Sequence, residues 1–188
     1  GFDDTVIVTD TATGLTQEFI GDHIGTTADT CWNMGDNHVY RAAVRDIVNQ
    51  ASVYEVTGFD YVPNVIDNQG FSIVVIYRIS NSLEVTQVTI NDGAIYGGNG
   101  YAPVTSTSTW TEPIGDPVLQ VRAHYTVGDA QSADDGVTRF NGTQIAVDNW
   151  EGNGGPGGDG AMWDDDTFDL TDSGLVFPGD TSSSASIE

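Results

Sequence analysis

The strongest constraint on this chain is residues 70–77, Gly70-Phe71-Ser72-Ile73-Val74-Val75-Ile76-Tyr77, a nearly unbroken apolar run in a sequence that is elsewhere mostly polar, glycine-rich or acidic. Six of the eight are β-branched or aromatic, and the run is too short for an ordinary helix. Asn68-Gln69-Gly70 and Asn81-Ser82 punctuate its ends. These features predict a central strand covered on both faces, which requires two layers. The following segment, 85–90, stops at Asn91-Asp92-Gly93, residues that tolerate positive φ, and so reads as the second arm of a hairpin.

Other β-prone runs lie at 5–9, 53–62 and 118–127, the last with Leu119, Val121, Ala123, Tyr125 and Val127 expected inward. Segment 15–24 is a candidate partner for 5–9. In 39–48 a strand beginning at Val39 gives way to a helical turn near 46–50. Residues 95–111 read as a long connection packed by Tyr96, Tyr101 and Trp110. The clearest local signal is Asn141-Gly142 between two β-prone arms, a two-residue hairpin turn that sets Phe140 opposite Thr143 and Thr138 opposite Ile145. The expected fold is therefore all-β: one domain over 1–188, a two-layer, mainly antiparallel β-sandwich of jelly-roll or Greek-key type with long Gly/Asp-rich loops.

Charge narrows the partners. Twenty-eight Asp and Glu face five arginines and no lysine, a formal charge of −23. Nucleic acid is not an expected partner, because phosphate binding needs clustered cations, and an anionic membrane surface repels such a chain. The carboxylate excess fits adaptation to high salt or binding of divalent cations, whereas four Trp, seven Tyr and seven Phe argue against disorder. A single cysteine, Cys31, leaves no internal disulfide. No segment has the length and apolarity of a membrane span. The composition, with a start at Gly1 rather than Met, fits export better than the cytosol.

Residues 149–172 combine oxygen donors with a glycine-rich backbone, the combination a hard cation needs. Asp159, Asp164, Asp165 and Asp166, with Glu151 and Asn153, are the candidate calcium ligands, although their spacing matches neither an EF-hand nor a repeated nonapeptide. A solvated acidic loop explains the same residues. Asn141-Gly142-Thr143 also satisfies the N-glycosylation pattern at Asn141, which the hairpin accounts for equally. His23, His38 and His124 are dispersed and suggest no catalytic grouping, so the chain is not expected to be an enzyme.

Segments 40–48, 70–77 followed by Thr89-Ile90-Asn91-Asp92-Gly93, and 163–171, in that order, resemble a family of β-sandwich modules in large secreted surface proteins of archaea and bacteria. The resemblance implies a fold and an extracellular setting, and no catalytic residues. It also implies further strands before residue 1 and after residue 188, lacking here or supplied by a neighbour through strand addition. Two functional readings follow. In one, the chain is a structural subunit or module of a filament, surface layer or adhesin stalk. Copies or neighbouring modules then join through sheet edges or terminal strands, with Val6, Ile7 and Val8 of an N-terminal edge strand filling a neighbour's apolar positions. In the other it is a calcium-dependent module binding carbohydrate or peptide, with Trp150, Trp163 and Tyr101 as a stacking platform.

Overall fold

The structure, a computed structural model, describes residues 4–28, 35–59, 70–77, 86–96, 102–130, 136–150 and 162–188. Among these it is all-β, with eleven strands, only antiparallel pairings and no helix. No helix among them is long and apolar enough to cross a membrane. Contacts divide the chain into two compact units, Gly1–Asn68 with Asp92–Tyr96, and Gln69–Asn91 with Gly97–Glu188.

In the first unit β1 (Thr5–Asp10) is flanked by β2 (Leu15–Ile20) and, after β3 (Asp22–Ala28) and β4 (Asp36–Arg41), by β5 (Tyr54–Thr57), giving the order β2-β1-β5. The β1–β2 hairpin closes because Asp10 organises the turn. Its carboxylate accepts from the Ala12 N–H at 3.0 Å and the Thr13 hydroxyl at 2.8 Å, and Gly14 takes the left-handed conformation needed to re-enter a strand. Val8 is 2% exposed and Ile47 1%, and they anchor the apolar interior of this unit. A single helical turn forms two residues ahead of the expected 46–50, with Val48 N–H donating to Val44 O at 2.8 Å. β3 and β4 form a separate two-stranded ribbon.

The second unit holds β6 (Val104–Thr109), β7 (Arg122–Ala130), β8 (Val137–Phe140), β9 (Thr143–Val147), β10 (Met162–Asp169) and β11 (Ser182–Ile187). One sheet has the order β6-β11-β8-β9, and β7 pairs with β10. The two contact each other through Tyr125 of β7, whose hydroxyl donates to Arg139 O at 3.1 Å and whose ring lies 5.9 Å from that of Trp150. Phe168 meets Tyr125 edge-on, and Phe140, Trp150 and Leu170 are buried, so aromatic rings fill the space between the layers.

Several local expectations hold and several change. The Asn141-Gly142 turn forms with φ of 47° and 74°, the double left-handed geometry that matches the twist of a two-residue hairpin. Phe140 pairs with Thr143 as expected, but a bulge places Thr138 opposite Ala146 rather than Ile145. The odd positions of β7, Ala123, Tyr125 and Val127, are half-buried and its even ones exposed, as is Val121 half-buried just before the strand, while Leu119 falls outside the strand and is exposed. Part of 95–111, read as a connection, is strand β6, with Val104, Ser106 and Ser108 turned to its more buried face. The main correction concerns 71–77. This run joins no ladder and its side chains are exposed, to 78% at Tyr77. Segment 86–90 likewise forms no ladder. Apolarity records that a segment gains by being covered, and here the interior places of both units go to β1, β8 and β11 instead.

Candidate functional site

The acidic stretch after the glycine-rich segment is a strand, and that decides which carboxylates can meet. Successive side chains of β10 point to opposite faces. Asp164, Asp166, Phe168 and Leu170 turn toward the aromatic interior, whereas Asp165, Thr167 and Asp169 turn outward. Asp164, Asp165 and Asp166, expected together as cation ligands, do not share a face: strand alternation leaves Asp164 with Asp166 and turns Asp165 away. Asp159, Glu151 and Asn153 lie outside the described residues. Among those described, no group of three or more His, Cys, Asp or Glu side chains is arranged to hold a metal.

Asp164 is the anomaly of this face. It is 3% exposed, its Oδ1 accepts from the Asp165 N–H at 2.8 Å, and its Oδ2 is buried without a hydrogen-bond partner. Burying a carboxylate oxygen without a partner is costly, and a nearby donor or cation relieves that cost. Asp166 is better served, accepting from Thr167 N–H at 3.0 Å and Asn149 Nδ2 at 3.3 Å. The pair thus offers one unsatisfied and one weakly engaged carboxylate oxygen on a single face.

The proposed stacking platform is not assembled. Trp150 is 2% exposed, with its indole N–H spent on Thr138 Oγ1 at 2.9 Å, so it is a core residue. Trp163 packs against Gly70, where any Cβ would collide with the indole, and Gly70 also has φ of 155°. Tyr101 lies outside the described residues, as does Cys31. Asn141 uses both ends of its amide, Nδ2 donating to Leu175 O at 2.7 Å and Oδ1 accepting from Ser184 N–H at 2.8 Å. Glycosylation there would replace one of the two hydrogens of the Nδ2 that makes the first of these bonds.

The assembly residues Val6, Ile7 and Val8 also need correction. β1 pairs with β2 along its whole length and with β5 over Ile7–Asp10, so it is an interior strand rather than an open edge. The last strand, β11, is likewise flanked by β6 and β8.

Among the described strands, β6 is an end strand of its sheet and pairs only with β11. Beside it runs 86–91, tied by two side-chain bonds, Gln87 Nε2 to Glu112 O at 2.9 Å and Asn91 Nδ2 to Ser108 Oγ at 2.7 Å. The anchors advance from 87 to 91 on one side and retreat from 112 to 108 on the other, an antiparallel alignment without a ladder. A groove of about 440 Å³ lies between, lined by residues 86–90, Thr109 and Thr111. Segments 71–77 and 86–90 carry no charged residue. Comparison with protein-family models, curated proteins and solved structures gives no match.

Proposed function

We propose that this chain is a structural module of an extracellular, cell-surface assembly, of the kind its sequence resembles, and that copies join through β6 with segment 86–90 beside it and through the exposed uncharged run 71–77. The carrying observation is the exposure of Val74, Val75, Ile76 and Tyr77, each more than half accessible. Contiguous exposed apolar surface marks an interaction site. The occupant we favour is a second copy. In a chain of formal charge −23, like-charged copies approach at least cost where no carboxylate stands, and 71–77 and 86–90 meet that condition. The side of β6 that has no ladder partner among the described residues, held to 86–91 by side-chain bonds alone, supplies main-chain donors and acceptors for strand addition. No catalytic step enters this reading. Sedimentation velocity over a concentration series, at low and at molar salt, tests it: association should strengthen with salt as repulsion is screened. A strictly monomeric chain under all conditions would refute it.

A second reading, cation dependence, is favoured by the orphaned Asp164 Oδ2 facing the same way as Asp166. Oxygen ligands select a hard cation such as calcium. Binding would stabilise the second unit by mass action, and thermal melting with calcium against chelator measures it. With Trp150 buried, carbohydrate stacking draws no support from that residue.

A further inference from the structure

The β3–β4 ribbon of the first unit carries a pair of imidazoles that the assembly reading does not use. We propose that His23 and His38, with Thr26, form a binding site for a borderline divalent transition metal such as Zn²⁺ or Ni²⁺. The site comes from register. Opposite residues pair as His23 with Tyr40 and Thr26 with His38, and a bulge at Ile24 inserts one residue between them. Without that insertion His23 and Thr26 would lie on opposite faces of β3; with it they share the face that carries His38 and Tyr40. Gly25, next to the bulge, lets the backbone of Ala94 come close, since a Cβ there would collide with it.

The three donor atoms stand in a tight triangle. His23 Nε2 is 3.3 Å from His38 Nδ1, and Thr26 Oγ1 is 2.9 Å from the first and 3.1 Å from the second. The Thr26 hydroxyl can donate to one imidazole lone pair and accept from the other imidazole's N–H, which satisfies all three atoms and leaves the third contact, nitrogen to nitrogen at 3.3 Å, with no proton of its own. A metal ion satisfies it well: with metal–nitrogen bonds of about 2.0–2.1 Å, two ligands at the tetrahedral angle stand about 3.3 Å apart. Thr26 Oγ1 occupies a third corner, and water completes the coordination. Both imidazoles are reachable, His23 being exposed and His38 partly so. Nitrogen donors select Zn²⁺, Ni²⁺ or Cu²⁺ over calcium, which separates this site chemically from Asp164 and Asp166. The inference does not depend on the assembly reading.

The test is titration of the intact chain with NiCl₂ and with ZnCl₂ at neutral pH, followed by calorimetry and by the imidazole NMR signals. His124, on β7 and engaged with Thr167 Oγ1 at 2.8 Å, is an internal control because no second imidazole accompanies it. The expected result is that His23 and His38 signals respond together and stoichiometrically, before that of His124. His23→Asn and His38→Asn should each lower affinity by roughly 100-fold, and Thr26→Val by about tenfold. Because the wild-type NMR titration needs no variant, a variant that unfolds leaves the test intact. Equal response of all three histidines, or unchanged affinity in folded His23→Asn and His38→Asn chains, would overturn the proposal.

Discussion

Trp150 and Thr138 hold each other in the interior of the second unit: the indole N–H donates to Thr138 Oγ1 at 2.9 Å, and that hydroxyl donates onward to Asn149 Oδ1 at 3.0 Å. Both residues are essentially inaccessible, so no water can substitute for either partner. Trp150→Phe keeps an aromatic ring but orphans the hydroxyl's acceptor side and leaves a small void. It should cost about 1–3 kcal/mol, and Trp150→Ala about 3–5 kcal/mol. Urea unfolding measures both. A loss below about 0.5 kcal/mol for the alanine variant would mean that Trp150 is not part of the core.

Asp164 and Asp165 are neighbours in sequence with opposite environments, one buried with an orphaned oxygen and one exposed. In chelator, Asp164→Asn should raise the melting temperature, because it replaces an unpartnered buried carboxylate by an amide. In calcium the same variant should lose most of the stabilisation that calcium gives the wild type, and Asp166→Asn should lose part of it. Asp165→Asn should stay within about 0.5 kcal/mol of wild type in both. A calcium response that survives Asp164→Asn removes the cation reading.

Asp10 gives the first unit an acid limit. The Ser52 hydroxyl bonded to its carboxylate, opposed by burial and joined by Thr13, the Ala12 N–H and Gln50, lowers its pKa from 3.8 to about 2. The bonds from Gln50 and Ser52 tie the β1–β2 turn to the chain entering β5. A folded-state pKa below the unfolded value means that the unfolded chain binds the proton more readily. The stabilisation is therefore complete above the unfolded pKa and is lost as pH falls from about 4 through about 2. Ser52→Ala removes the largest of these effects and should move the acid unfolding transition to higher pH. Circular dichroism from neutral pH to about pH 2 reads it, and superimposable curves for the two chains would contradict the assignment.

What the sequence disclosed was local. Asn141-Gly142 specifies its turn through φ alone, and the inward face of β7 follows from strict alternation at Ala123, Tyr125 and Val127. The all-β class was legible for the same reason. β10 was not, because Asp164-Asp165-Asp166 has poor strand propensity and its conformation is set by pairing with β7 across a long stretch of chain. β6 was missed similarly, its serines and threonines giving no hydrophobic alternation. The approach of His23 to His38 depends on one inserted residue at Ile24, and no pattern in the sequence reports a bulge. Of the candidate cation ligands, strand parity rather than composition separates Asp164 and Asp166 from Asp165.

The last prediction turns on 71–77, where sequence and structure point in opposite directions. If Val75 filled a two-sided core, Val75→Asp would bury an unpaired carboxylate and cost several kcal/mol. Val75 is instead 56% exposed and outside any ladder, so the substitution should leave the unfolding midpoint within about 0.5 kcal/mol of wild type. Its effect should fall on association. An added carboxylate on an uncharged surface brings repulsion where copies of an already acidic chain are proposed to meet, and it removes apolar area that contact would bury. Val75→Asp should therefore shift self-association in sedimentation to markedly higher protein concentration, most visibly at low salt. The control is Val147→Asp, on the exposed side of edge strand β9, which alters charge equally at a distance from the groove residues. Equal weakening by both variants would reduce the effect to net charge, and a large loss of stability in Val75→Asp would return the run to the core.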